Sequence, residues 1–114
     1  MTFKEDYSFE ARKQESTKIM EKYPSRIPII VEKNGTCELR KIDKEKYLVP
    51  RDLTMNQFIY IIRKRLKLKA HESIFLMVDS RLCPSNVSFS EIYEDYIDPD
   101  GFLYVVYTSE NTFG

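Results

Sequence analysis

Apolar and polar positions follow different rhythms along the chain, and each rhythm predicts an element. From Ser8 to Pro24, SFEARKQESTKIMEKYP, helix formers dominate and apolar residues are sparse, chiefly Phe9, Ile19, Met20 and Tyr23. Ser8 opens the stretch as an N-cap, and Tyr23-Pro24 closes it because proline disfavours helical geometry in the residue before it. The pattern predicts an outer helix covering a narrow apolar strip. RIPIIVEK, residues 26–33, then reads as a strand ending in Asn34-Gly35, a dipeptide suited to the positive dihedrals of a tight hairpin turn. KYLVP, residues 46–50, is the next short strand, and Pro50 marks it as an edge because proline cannot donate to a ladder. Between them, TCELRKIDKE leaves two connections open: a hairpin returning over Thr36 to Ile42, or a longer link to KYLVP. Its polar, irregular character favours the longer link.

LTMNQFIYIIRKRLKL carries the strongest local signal. Thr54 and Gln57 match a capping box, and Leu53 and Phe58 stand where a hydrophobic staple places its two apolar residues. Phe58, Ile61, Ile62 and Leu66 recur at helical spacing and are expected to face the core, with Arg63, Lys64, Arg65 and Lys67 outside or at the rim. IFLMVD, residues 74–79, reads as a strand covered on both faces. Ser88 with Glu91 and Val87 with Ile92 repeat the box and the staple, opening a short helix to about Tyr96. GFLYVVY, residues 101–107, closes the series as a largely buried strand.

The order helix, strand, strand, helix, strand, short helix, strand predicts an α+β fold with helices on one face of a mixed four-stranded sheet, the β-grasp arrangement of ubiquitin. With the last strand at the sheet centre, KYLVP stays at an edge with unpaired N–H and C=O groups. Such an edge accepts an extended peptide by strand addition, and flanking pockets supply specificity. Side-chain alternation sends Lys46 and Leu48 to one side and Tyr47 and Val49 to the other. Leu48 and Val49 read equally well as ordinary core residues.

Composition narrows the classes. A chain of 114 residues with 42% apolar content suits one domain whose core needs no metal or disulfide staples. Cys37 and Cys83 lie far apart and outside any CxxC pair, so they read as free thiols, and nothing calls for a cofactor. No apolar run approaches a signal peptide or a membrane span, Thr2 excludes myristoylation and NTFG is not a prenylation box, so no membrane anchor is encoded. His71 is the single histidine, lies in a charged segment and has no nucleophile at a familiar spacing, and nothing supports Cys37 as one. The chain is therefore expected not to be an enzyme.

Charge is lopsided: residues 1–69 hold 17 Lys or Arg against 10 Asp or Glu, giving +7, and residues 70–114 hold 1 against 8, giving −7. Either the first portion offers a basic face to acidic peptides, nucleic acid or lipid headgroups, or the two segments pack together and cancel.

KYPSRIPIIVEK, DKEKYLVP, RKRLKL and DGFLYVVYTSENTFG closely resemble the autophagy ubiquitin-like modifiers of the GABA-receptor-associated and light-chain types, over nearly the whole chain. The resemblance implies two N-terminal helices, roughly residues 3–7 and 9–22. It divides the chain into a helical extension over 1–24, a ubiquitin-like core over 25–107 and a flexible conjugation tail over 108–114. It further implies capture of short acidic motifs that carry an aromatic residue and, three positions on, an aliphatic one. Glu15, Ile19, Pro28, Ile30, Lys46, Leu48 and Phe102 would line the aromatic pocket. Tyr47, Val49, Pro50, Leu53, Phe58 and Ile61 would line the aliphatic one, and Arg26, Lys44, Lys46 and Arg65 would meet the flanking acids.

Members of that family are joined through a C-terminal glycine, here Gly114, to phosphatidylethanolamine, after adenylation and thioester transfer by separate activating and conjugating enzymes. A cysteine protease undoes the conjugate. Glycine suits a narrow active-site channel because it lacks a Cβ, and a seven-residue tether extends about 25 Å. The resemblance thus implies a cytoplasmic monomer that becomes an adaptor on the autophagosome membrane and recruits cargo receptors and autophagy proteins. Two other readings stay open: an interaction module that is never conjugated, and a modifier of protein lysines.

Overall fold

The computed structural model describes residues 2–109, so Gly114 and most of the expected tail lie outside the described residues. Its first elements are set by caps. Thr2 accepts from the Glu5 amide while the Glu5 carboxylate takes the Thr2 amide, opening α1 (Phe3–Asp6). Ser8 accepts from the Ala11 amide and opens α2 (Phe9–Lys22). Thr54 and Gln57 exchange both bonds of the box at the start of α3 (Met55–Leu66). At α4 (Phe89–Tyr96), Ser88 makes only the forward half, accepting from the Glu91 amide. Each such cap satisfies a helix-end N–H that otherwise has no partner in the helix.

The strands are β1 (Arg26–Lys33), β2 (Lys46–Pro50), β3 (Phe75–Val78), β4 (Arg81–Leu82) and β5 (Leu103–Thr108), in the sheet order β2-β1-β5-β3-β4. β5 runs parallel to β1 and antiparallel to β3, so the last strand is central and β2 is an edge. The two-residue β4 adds a fifth strand to the four expected. Its hairpin turn on Asp79 and Ser80, with φ of 52° and 60°, has no glycine to announce it. At Asn34-Gly35 the reverse holds: Gly35 does not have positive φ. Instead the Cys37 amide donates to the Asn34 carbonyl at 3.0 Å and the Thr36 amide to the Asn34 side chain at 3.2 Å. An ordinary turn therefore begins the long connection to β2.

That connection is pinned rather than loose. The Ile42 amide donates to the Tyr107 hydroxyl at 2.9 Å, the same hydroxyl donates to the Arg40 carbonyl at 2.7 Å, and the Val31 amide donates to the Glu45 carbonyl at 2.8 Å.

Alternation along the central strands separates two apolar layers. Ile27, Ile29 and Val31 of β1 with Leu103, Val105 and Tyr107 of β5 face Met55, Phe58, Ile62 and Leu66 of α3 and Phe89 and Ile92 of α4. On the opposite face Ile30 and Phe102 pack with Phe3 and Ile19. Helices thus cover both faces, where the order of elements alone suggested one. Ile61 does not join the core: it is 38% exposed. At about 100° per residue, Met55, Phe58, Ile62 and Leu66 cluster on one side of α3 and Ile61 falls off their flank.

α2 docks through only part of the expected apolar strip: Ile19 packs on the second layer and Met20 is half-buried. Phe9 and Tyr23 are exposed, and the residues that α2 buries are Arg12 and Ser16. Arg12 Nη1 donates to Asp100 Oδ2 at 2.6 Å, the Ser16 hydroxyl donates to the Asp100 carbonyl, and the Tyr104 hydroxyl donates to the same Asp100 carboxylate. Burial and that bond to Asp100 push the Tyr104 phenol up, so it stays a donor. Asp100 is fully buried, so its charge is tolerable only because Arg12 and these donors surround it. Gly101 makes the approach possible: its φ is +91°, and a Cβ there would lie 2.3 Å from Ser16 Oγ.

Candidate functional site

The register at the sheet edge decides what β2 offers. Leu48 lies opposite Pro28, which has no N–H, and the Val31–Glu45 bond sets the alternation of the antiparallel ladder. Tyr47 and Val49 therefore direct their backbone groups toward β1, while Lys46 and Leu48 direct theirs outward. One outward group is already engaged: Arg26 Nη1 donates to the Leu48 carbonyl at 3.3 Å. An edge of this kind has the backbone geometry that strand addition requires.

On the α2 side of β2, Lys46 Nζ pairs with Glu15 Oε2 at 2.8 Å, bridging the edge strand and the helix. Ile30 and Phe102 lie fully buried beneath with Ile19 beside them, Pro28 is buried opposite Leu48, and Leu48 is half-buried. The structure brings these aromatic-pocket candidates together. It adds Phe3, whose ring meets Phe102 edge-on at 5.4 Å and lies 5.6 Å from Lys46 Nζ. Sequence periodicity had no means of finding Phe3, because α1 is four residues long; its own Thr2 capping box was the available signal.

On the α3 side the candidates divide. Tyr47, Val49 and Phe58 are 8%, 5% and 0% exposed and belong to the main core, with the Tyr47 and Phe58 rings edge-on at 5.6 Å. They form the support of that side, and its open surface comes from Pro50, Leu53 and Ile61. Leu53 and Ile61 line an open cleft of about 490 Å³ with Ile59 and Tyr60. The Tyr47 hydroxyl has no hydrogen-bond partner among the described residues. Burial raises its pKa to about 12, so it stays neutral.

The four cations rim the two sides. Arg65 Nε pairs with Asp43 Oδ1 at 2.8 Å, Lys44 Nζ stands 5.0 Å from the Tyr47 ring centre, Lys46 holds Glu15 and Arg26 holds β2. Neither cysteine has a second thiol, and among the described residues no group of His, Cys, Asp and Glu is arranged to hold a metal ion. No helix among them is long and apolar enough to cross a membrane.

A β-grasp sheet with helices on both faces and an edge strand rimmed by lysine and arginine defines a ubiquitin-like domain. The family described as "Autophagy protein Atg8 ubiquitin like" matches residues 11–114. Autophagy-related protein 8e of Arabidopsis thaliana is 57% identical over 112 residues, covering 98% of this chain and 92% of the relative. Autophagy-related protein 8 of Schizosaccharomyces pombe is 54% identical over 112 residues, covering 98% and 93%. The chain belongs to the Atg8 family of ubiquitin-like autophagy proteins.

Proposed function

We propose that this protein is joined through the carboxylate of Gly114 to the amine of phosphatidylethanolamine and then recruits other proteins to the autophagosome membrane. Separate activating and conjugating enzymes supply the chemistry, and a cysteine protease reverses it. Before conjugation the protein is a cytoplasmic monomer. Two acyl chains give stable anchoring where a single chain is marginal.

Recruitment uses β2. The partner is a short acidic peptide whose aromatic residue enters beside Leu48, Ile19 and Phe102 and whose aliphatic residue, three positions on, meets Pro50, Leu53 and Ile61. The observation that carries this reading is the outward-facing backbone of Lys46 and Leu48 at the sheet edge, in a chain whose family match extends to Gly114.

Reconstitution with cognate activating and conjugating enzymes, ATP and phosphatidylethanolamine liposomes tests the conjugation. Native protein is expected to give a lipid adduct by mass spectrometry, and Gly114→Ala none. Equal adducts from both, or none from native protein, refute conjugation through this glycine. Adducts on protein lysines instead would assign the modifier to proteins.

A further inference from the structure

Asp43 sits three residues before β2, and its carboxylate holds Arg65, one of the cations placed to meet an acidic ligand, at 2.8 Å. The contact is built into the backbone. Ile42, its neighbour, is buried and tied through its amide to Tyr107, and Glu45 is tied through its carbonyl to Val31. Asp43 is thus delivered to Arg65 by a segment fixed on both sides, with little loop entropy left to lose. Both side chains are open to solvent, 45% for Arg65 and 69% for Asp43, so an incoming carboxylate has access to the pair. The Arg65 guanidinium holds the Asp43 carboxyl below the usual carboxylate range, so Asp43 is charged wherever a ligand carboxylate is.

We propose that Asp43 is an intramolecular competitor for Arg65, which lowers the affinity of acid-flanked peptides and leaves selection to the aromatic and aliphatic pockets. This rests on the peptide-binding reading above. A peptide carboxylate that approaches Arg65 must displace Asp43 or sit beside its negative charge, and either way it gains less than it would from an unpaired arginine. A peptide with neutral flanks leaves the pair intact and loses nothing. Asp43 therefore narrows the preference for acidic over neutral peptides, and guards the edge strand against acidic chains that lack the two apolar anchors.

The test compares a synthetic peptide carrying the aromatic and aliphatic residues between Asp and Glu flanks with a twin whose flanks are Asn and Gln, by calorimetric titration. Asp43→Asn is expected to tighten the acidic peptide about two- to fivefold at low ionic strength, the range of an exposed ion pair, and to leave the neutral twin unchanged. The gain should disappear in an Arg65→Gln background and fade in high salt. Asp79→Asn, at the opposite end of the sheet, removes the same charge and measures the general field. Equal gains from Asp79→Asn and Asp43→Asn, or no gain from Asp43→Asn, overturn the inference. Weaker binding by Asp43→Asn does so too, since it would make Asp43 an aligner of Arg65. Wild-type protein that binds neither peptide refutes the peptide-binding reading itself, and the inference with it. Unchanged unfolding midpoints for each variant keep these outcomes free of folding effects.

Discussion

Replacing Gly101 with alanine should detach α2 from the sheet. The backbone there has φ of +91°, which alone costs an L-residue roughly 1–2 kcal/mol. The new methyl would also lie 2.3 Å from Ser16 Oγ and 2.9 Å from Ser16 Cβ. Ser16 cannot swing clear without giving up its bond to the Asp100 carbonyl, so α2 must move outward and strain the Arg12–Asp100 pair. Overpacking of this kind costs about 1–3 kcal/mol, so Gly101→Ala is expected to lose about 2–5 kcal/mol in all, a large share of the roughly 5–15 kcal/mol typical of a domain. Urea unfolding followed by far-ultraviolet circular dichroism measures the loss. Ser16→Gly removes both clashing atoms, so in that background the alanine should cost only the backbone strain, about 1–2 kcal/mol. An equal cost with and without Ser16, or a cost below about 0.5 kcal/mol in the native background, would refute the contact-based account.

Two further outcomes follow from the groove. Tyr47→Phe should leave stability unchanged or raise it by up to about 1 kcal/mol, because the hydroxyl it removes is buried with no partner among the described residues; a loss above about 1 kcal/mol in urea would mean that the hydroxyl is bonded after all. Leu48→Ala should weaken an aromatic, acidic peptide roughly tenfold by fluorescence polarisation with the fold intact, since a half-buried leucine contributes on the order of 1–2 kcal/mol to such a contact. Undiminished affinity would place the peptide elsewhere. Leu48 is the cleaner probe, because Tyr47→Ala would also open the core beside Phe58.

What could be read from the sequence, and what could not, follows from the kind of interaction involved. Ser8, Thr54 and Ser88 are local signals, since a cap and the amide it satisfies lie within one turn, and all three open helices. Pro50 likewise pointed to an edge and residues 101–107 to a largely buried strand, and the sheet order, with β2 at an edge and β5 in the middle, agrees. The docking of α2 was hidden because Arg12 and Ser16 find Asp100 across 88 and 84 positions, and a search for apolar stripes passes over polar residues. The hairpin on Asp79 and Ser80 was hidden for the opposite reason: a two-residue strand is too short to show alternation, and neither residue advertises positive φ as glycine does. Among the site candidates, alternation placed Lys46 and Leu48 on one side and Tyr47 and Val49 on the other, as found. It could not tell which would be sealed beneath Phe58.

β5 is the middle ribbon of the sheet and follows every other described strand along the chain. While a nascent chain still lacks residues 103–108, β1 has no neighbour on one side and β3 pairs only with the two-residue β4, so the layers cannot close over their apolar faces. Such non-local pairing also makes folding slow relative to helical domains. Translation that stalls short of Thr108 would thus leave both apolar layers open to water, so an incomplete product carries exposed apolar surface from the start.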